Sequence, residues 1–473
     1  MRSFNRYIYS LLQLIILIFS LTTSLYGPLV IALNVTLLLM ILNKMGKGIV
    51  LRESAAMLYS ITCTLMPLVG YNYYTSTNYM ARLWVKYMPV KEDLYFEFAL
   101  PAIVGFCFML TLPIGWRAAK DEGTEVRKTI ERIKQIIKDK KSIGLQIILV
   151  GLVVGAMVGY LPGGLQFFAT LFFFGSFAGL LYVYYTPYFK YKKLLIAAFV
   201  GFIVFNALGS GMFTIVAYMG VTISSFFLLS NRTSLFKKSI IVIFAVAFII
   251  VLQNTKEEYR KKTWKANYEG SKIELFGKLF IQNFQKGNLL VENKPFFAIY
   301  SRTNQGFNVA LVMRRIPAYQ KHDYGSNLLK AFASAFVPRF LWPDKPEAGG
   351  RFNMKYYAGF DLRGWSTNIG PLGEAYGSFG ITGGIIYMMV LGAFIRWAYR
   401  KVFVMAEKIP LLICWIPVLF FQITYSAEAD SLQIMNSLIK ASVFIWILYK
   451  FLPKWFGRDD PQYKSVETPS YNI

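Results

Sequence analysis

The sequence predicts an all-α polytopic membrane protein with about twelve transmembrane helices and one large extracytoplasmic loop containing short helices. Three observations predict it. The 473-residue chain is 55% hydrophobic and only 16% charged, where soluble domains hold about 45–50% apolar and about 25% charged residues. Apolar runs long enough to cross a hydrocarbon core of ~30 Å recur along most of its length. Lys and Arg collect in alternate connections, the pattern of loops that remain cytoplasmic. A soluble helical protein would have to bury about a dozen unbroken apolar segments at once.

Hydropathy and length place spans near 8–26, 28–43, 54–73, 95–115, 144–161, 164–186, 194–209, 211–230, 238–253, 377–397, 409–427 and 431–451. Arg2 and Arg6 precede the first apolar run, as in a signal peptide. The run is long, no A-x-A site follows and another span begins at once, so it reads as an uncleaved helix. With the N-terminus inside, Lys44/Lys47/Arg52, segment 117–143, Lys190/Lys192/Lys193, Arg232/Lys237/Lys238 and Arg396/Arg400/Lys401/Lys408 all fall on the cytoplasmic side. The C-terminal tail, with Lys450, Lys454 and Arg458, joins them. The chain thus divides into spans one to nine (1–252), an external loop (253–376), spans ten to twelve (377–451) and a cytoplasmic tail (452–473).

This topology also accounts for the net charge of +26, which in a soluble protein would point to nucleic acid. No RNP, zinc-finger or helix-turn-helix pattern supports such a partner. Cys63, Cys107 and Cys414 lie inside apolar spans without CxxC spacing and read as buried hydrophobes. A single histidine, His322, excludes His-rich metal centres.

Segment 117–142 places Val126, Ile130, Ile133, Ile136 and Ile137 at helical spacing among charges. It reads either as a basic amphipathic helix on the inner leaflet or as a solvated linker helix. In the external loop, Leu275, Phe276, Leu279, Phe280 and Phe284 form an apolar helix face suited to a membrane surface. Further helices are expected near 301–316 and 325–336, and Pro and Gly then punctuate the chain from Pro338 to Pro371.

The external loop holds roughly twice as many Lys and Arg as Asp and Glu. An anionic ligand at the outer interface would explain cations there. Its candidates are Arg302, Arg314, Arg315, Arg339, Lys345, Arg351 and Arg363, since arginine binds phosphate oxygens in pairs and stays charged. In FVPRFLWPDKP (336–346), prolines limit backbone freedom around Arg339 and Lys345, although Arg339 could equally pair with Asp344. Glu374, just before span ten, suits either a general base or a charge at a helix start. Gly377, Gly380, Gly383 and Gly384 suit close helix packing. Trp342, Tyr356, Tyr357, Trp365, Tyr376 and Phe379 form either an interface belt or a stacking surface for sugar rings. Asp361, His322, Glu428 and Asp430 complete the polar candidates, the last two also suiting a simple external turn. Motifs of nucleotide-driven transport, zinc proteolysis and serine hydrolysis are absent from the sequence.

FVPRFLWPDKP, Tyr356/Tyr357, Thr367, GPLGEAYGSFGITGG and SRTNQG (301–306) together resemble the bacterial O-antigen polymerase (Wzy-type) family, the oligosaccharide repeat-unit polymerases. The resemblance is sharp over about 300–390 and architectural elsewhere. It implies a GT-C-like membrane fold related to the O-antigen ligases, in the bacterial inner membrane. The implied reaction transfers a growing glycan from undecaprenyl diphosphate to a lipid-linked repeat unit, without metal or cofactor. Chain-length regulator and flippase proteins are the implied partners. Carried to matching positions, Arg302, Arg339 and Lys345 would contact the diphosphate, with Arg351 as a further candidate. Glu374 would activate the acceptor hydroxyl, and Trp342 and Tyr376 would line the sugar path. The ligases' catalytic histidine has no match, because His322 stands in a different context. A ligase-type transferase and a glycolipid flippase are the alternatives.

Overall fold

A computed structural model describes residues 4–114, 122–138, 140–210, 214–229, 234–265, 268, 270–285, 293–337, 341–345, 349–362, 367–425 and 427–458. Arg2, Arg232, Arg339, Arg363, Trp365 and the tail beyond 458 lie outside the described residues. The secondary structure is all helical, with helices covering 80% of the structure and no strand among the described residues. The chain runs through α1 (Phe4–Thr22), α2 (Tyr26–Lys44), α3 (Leu51–Ser60), α4 (Glu92–Thr111), α5 (Glu122–Ile137), α6 (Lys141–Ala156), α7 (Gly163–Tyr185) and α8 (Lys192–Ser210). It continues through α9 (Thr214–Leu228), α10 (Leu235–Arg260), α11 (Lys272–Gln285), α12 (Asn293–Thr303), α13 (Gly306–Arg315), α14 (Ser326–Phe336), α15 (Gly370–Ala406) and α16 (Ser431–Phe451).

Among the described residues, seven helices are long and apolar enough to span a membrane, so the chain is a helical membrane protein. They are α2, α3 with its continuation to Asn72, α4, the Leu165–Tyr185 stretch of α7, α10 with the turn after it, α15 and α16. Shorter apolar helices lie at Tyr7–Thr22, Ser142–Ala156 and Pro410–Leu419.

α4 is the centre of the bundle, packed along α15, α1 and α3. Its apolar residues from Tyr95 to Leu110 are almost all sealed from solvent, which lets Pro101 sit inside it with neighbours on every side. The predicted span at 409–427 is a chain of short turns, Pro410–Trp415, Ile416–Leu419 and Phe421–Tyr425. Its residues from Leu411 to Phe421 are buried, and only protein-covered backbone tolerates such breaks at membrane depth. The cysteines are free and buried, as their apolar surroundings predict.

Two amphipathic helices pack apolar residues against protein. In α5, Val126, Ile130, Ile133 and Ile137 are buried, and the helix packs against α7 and the Pro410–Trp415 turn. Its apolar face is therefore covered by protein, because periodicity reveals such a face but not what covers it. In α11, Leu275 and Leu279 are buried in a cluster with Tyr259 of α10, while Phe284 stays exposed.

α15 begins at Gly370, earlier than the apolar run near 377 suggests. Gly370 adopts a positive φ of 66°, and Pro371 follows at the start of the helix, where its missing N–H is harmless. Hydropathy misses this first stretch because it is built from small and polar residues. At Gly380 the backbone leaves helical geometry (φ 68°, ψ −155°), separating the first turns from the long apolar remainder. Glu374 therefore lies inside a short helical segment, not ahead of a helix.

Candidate functional site

Two carboxylates meet where the N-termini of α15 and α16 come together. Glu374 is 4% exposed and Asp430 is fully buried. Asn353 Nδ2 donates to Glu374 Oε1 (3.1 Å). The Ser431 N–H and hydroxyl both donate to Glu374 Oε2, at 2.9 and 2.6 Å. The Tyr387 hydroxyl lies 2.6 Å from Ser431 Oγ, leaving the serine proton for Glu374. Glu374 thus occupies the positive end of α16.

Asp430 caps that same helix. Its Oδ1 accepts from Gln433 N (2.6 Å), and the Gln433 side chain returns a bond to the Asp430 N–H in a capping box. Asp430 Oδ2 accepts from Asn368 Nδ2 (2.8 Å), Gly349 N (2.9 Å) and Asn353 Nδ2 (3.4 Å). Asn353 therefore bridges the two acids. Burial pushes the Asp430 carboxyl above its ordinary value, and the N–H donors from Gln433, Asn368 and Gly349 oppose that shift.

The run NQGFN (304–308) positions Asn368. Gln305 Nε2 and Asn308 Nδ2 both donate to the Asn368 carbonyl (2.6 and 3.0 Å), and Asn308 also reaches Thr367 Oγ1 (2.9 Å). This is a local reason for the SRTNQG stretch: its amides tie α13 to the segment that enters α15.

A group of cations lies along the same turn. Arg302 Nη1 is 3.8 Å from Glu428 Oε1, and Lys86 and Lys256 also act electrostatically on that carboxylate. Arg260 adds its charge beside Lys256. The Lys86 and Lys256 ammonium groups have no hydrogen-bond or ion-pair partner among the described residues. Lys86 instead sits over the Phe307 ring, 4.3 Å from its centroid. Burial pushes Lys86 below its ordinary value, while it holds Glu428 above the usual carboxylate range against the pull of these cations. Three cations around one acid form a site of net positive charge.

The other sequence candidates have different surroundings. Lys345 Nζ donates to the Ser334 and Val337 carbonyls (3.0 and 2.9 Å), so much of its donor capacity closes the C-terminus of α14. Tyr376 is buried between Phe98 and His322, at ring distances of 5.1 and 5.7 Å. His322 Nδ1 faces the Gly377 carbonyl at 3.2 Å, and its ring occupies space beside Gly380, against the break in α15. Tyr356 stacks on Phe352, and its neighbour Tyr357 donates to Asp323 Oδ2 (2.8 Å). Burial holds the Tyr357 hydroxyl well above its ordinary range, keeping it a donor. Arg351 and Asp361 are exposed, and Trp342 is half-buried. The structure thus brings Glu374 together with Asp430, and Arg302 together with Glu428, while Lys345 closes α14 and Tyr376 packs between Phe98 and His322. Sequence reasoning missed Asn353, Asn368, Ser431, Lys86 and Lys256. Neutral amides, a serine and lysines outside any motif carry no spacing signal.

Among the described residues, no group of three or more His, Cys, Asp and Glu side chains could hold a metal ion. The fold and site define a helical membrane protein with a buried carboxyl pair beside a cationic turn. Residues 123–453 match the family described as a domain of unknown function, DUF8712, and the chain belongs to that family. No curated protein and no solved structure matches it.

Proposed function

We propose that the chain is a membrane glycosyltransferase that polymerises undecaprenyl diphosphate-linked oligosaccharide repeat units. In this reading it crosses the bacterial inner membrane about twelve times in a GT-C-like arrangement, with both termini cytoplasmic and the site at the outer face. The observation that carries it is the pairing of two sites along one short turn. Lys86, Lys256 and Arg302 offer positive charge for an anion around Glu428, and Asp430, two residues on, lies against Glu374. A diphosphate leaving group and a hydroxyl nucleophile need these two environments side by side.

The step balances as follows. A hydroxyl oxygen of the incoming repeat unit bonds to the anomeric carbon of the growing glycan. The anomeric C–O bond to diphosphate breaks, leaving its electron pair on the phosphate oxygen. The hydroxyl proton passes to the Glu374 carboxylate, and undecaprenyl diphosphate departs against the cations. No cofactor enters the step.

The test is purified protein in liposomes, supplied only with the undecaprenyl diphosphate-linked repeat unit. We expect the glycan to lengthen without nucleotide, lengthening to slow sharply in Glu374→Gln, and the donor requirement to rise in Arg302→Ala/Lys86→Ala. Unchanged chain length in both variants would remove these residues from the reaction. Lipid movement across the bilayer with every glycosidic bond intact would make the protein a transporter.

A further inference from the structure

A cavity of about 30 Å³ opens beside the carboxyl pair. Glu374, Asp430, Asn353, Asn327, Tyr357 and Phe352 line it together with apolar side chains. Two unused polar capacities meet there. Asn327 Nδ2 is buried without a hydrogen-bond partner among the described residues. Glu374 Oε1 accepts only the Asn353 bond among the described residues, although a carboxylate oxygen takes about two. Both residues line this one small space, so it offers a spare donor and a spare acceptor, the pair that a hydroxyl group satisfies because it is both. The volume admits a hydroxyl or hydroxymethyl arm and excludes a sugar ring.

The ring would find its place outside. Phe352 is 43% exposed, yet one face is already taken by Tyr356, stacked at 5.6 Å with planes 12° apart. Its exposure therefore belongs largely to the opposite side. A rigid aromatic surface beside a hydroxyl-sized polar hole is the arrangement that recognises a neutral sugar, whose C–H face lies on the ring while one hydroxyl reaches inward.

We propose that this cavity is the acceptor-sugar subsite, with Phe352 as its platform and Asn327 as the amide that reads the hydroxyl. It is distinct from the cationic turn, which would hold the donor's diphosphate. The assignment rests on the glycosyl-transfer reading for its role, but the binding of a neutral sugar can be measured separately.

The experiment uses the full chain in nanodiscs and saturation-transfer NMR. Its probe is the metal-free, lipid-free oligosaccharide released by mild acid from the source cells' surface polysaccharide. Saturation should reach the glycan's ring C–H protons. Phe352→Ala should raise the apparent Kd about tenfold, and Asn327→Leu by a similar factor. Lys86→Ala should leave it unchanged. Thermal melting confirms folding in each variant, and Phe352→Leu should recover part of the affinity if packing rather than folding is at issue. Absent saturation in the native protein, unchanged binding in folded Phe352→Ala, or an equal loss in Lys86→Ala would each overturn the subsite. Glycan binding that follows this pattern in a protein unable to lengthen lipid-linked glycan would instead leave the subsite standing and remove the polymerase reading.

Discussion

Two charged clusters occupy opposite ends of the bundle, and they use the same side chains differently. At one end Arg52, 1% exposed, opens α3 and donates from Nη1 to the carbonyls of Leu110 and Leu112, both at 2.9 Å. Arg396 Nη2 donates to the next carbonyl in line, that of Pro113, at 3.0 Å. Both arginines thus sit at the C-terminal end of α4, where carbonyls lack helical partners and the dipole favours a cation. Glu53 lies 3.0 Å from Lys44 and 3.8 Å from Arg52, and the Tyr399 ring lies 5.1 Å from the Arg52 guanidinium. At the other end Lys86, Lys256 and Arg302 share Glu428, and only Arg302 comes within ion-pair distance of it. Cations committed to backbone carbonyls hold helices together. Cations in excess of their acids hold capacity for an anion that arrives from outside.

Substitutions should separate the two ends. The largest effect on activity is expected for Glu374→Gln, which keeps the shape of the side chain and removes its basicity. Lengthening of the lipid-linked glycan should fall by ~10²–10⁴ while the melting temperature holds. Next, Arg52→Ala should lower stability by about 3 kcal/mol by leaving Glu53 and the Leu110 and Leu112 carbonyls under-satisfied, read as a lower melting temperature in detergent. Activity per folded molecule should survive. If Arg52→Ala instead abolished turnover without loss of stability, the division between the clusters would collapse.

Removing both Lys86 and Arg302 as alanines should weaken donor use by roughly 10–100-fold, from two contacts of about 0.7–1.4 kcal/mol each, measured as a raised KM at unchanged melting temperature. High salt should reproduce part of that loss in the native protein and none of it in the double variant.

A smaller effect concerns pH. Burial raises the Asp430 carboxyl in the folded protein. Between its ordinary range and the raised one, the folded chain keeps a proton that the unfolded chain has already lost. The stabilising contribution is therefore complete at low pH and declines as pH rises through that window, by at most about 1.4 kcal/mol per pH unit. Asp430→Asn should flatten the dependence of melting temperature on pH in this range; an unaltered slope would place the titration elsewhere. The smallest change is expected for Lys345→Met, about 1 kcal/mol of stability from the two carbonyls at the end of α14. A loss of donor binding in that variant would restore Lys345 to the anion site.

Much of this architecture was legible before any coordinates, because a bilayer demands unbroken apolar length and that demand is local. α2, α4 and α16 are found where hydropathy places them. The start of α15 was not legible, since Gly370 to Phe379 carries too little apolar character to signal a span. Arg302 and Glu374 stood out as charges, but their partners did not. Lys86 belongs to a loop whose Met88 meets Asn304, 216 positions further along and close to Arg302 in the chain. Asp430 read as an acid in a turn, and its cap on α16 is indeed that role. Its second role, beside Glu374, depends on a different helix.

The sequence by itself determined a helical membrane protein with buried, unpaired cysteines and a basic segment between α10 and α15, because apolar run length and charge are properties of consecutive residues. Only the tertiary structure decided which charges become architecture and which become a site. Glu374 meets the N–H of Ser431, 57 positions away, when the starts of α15 and α16 pack together. That meeting is produced by helix packing across the whole bundle, and no local pattern of residues encodes it.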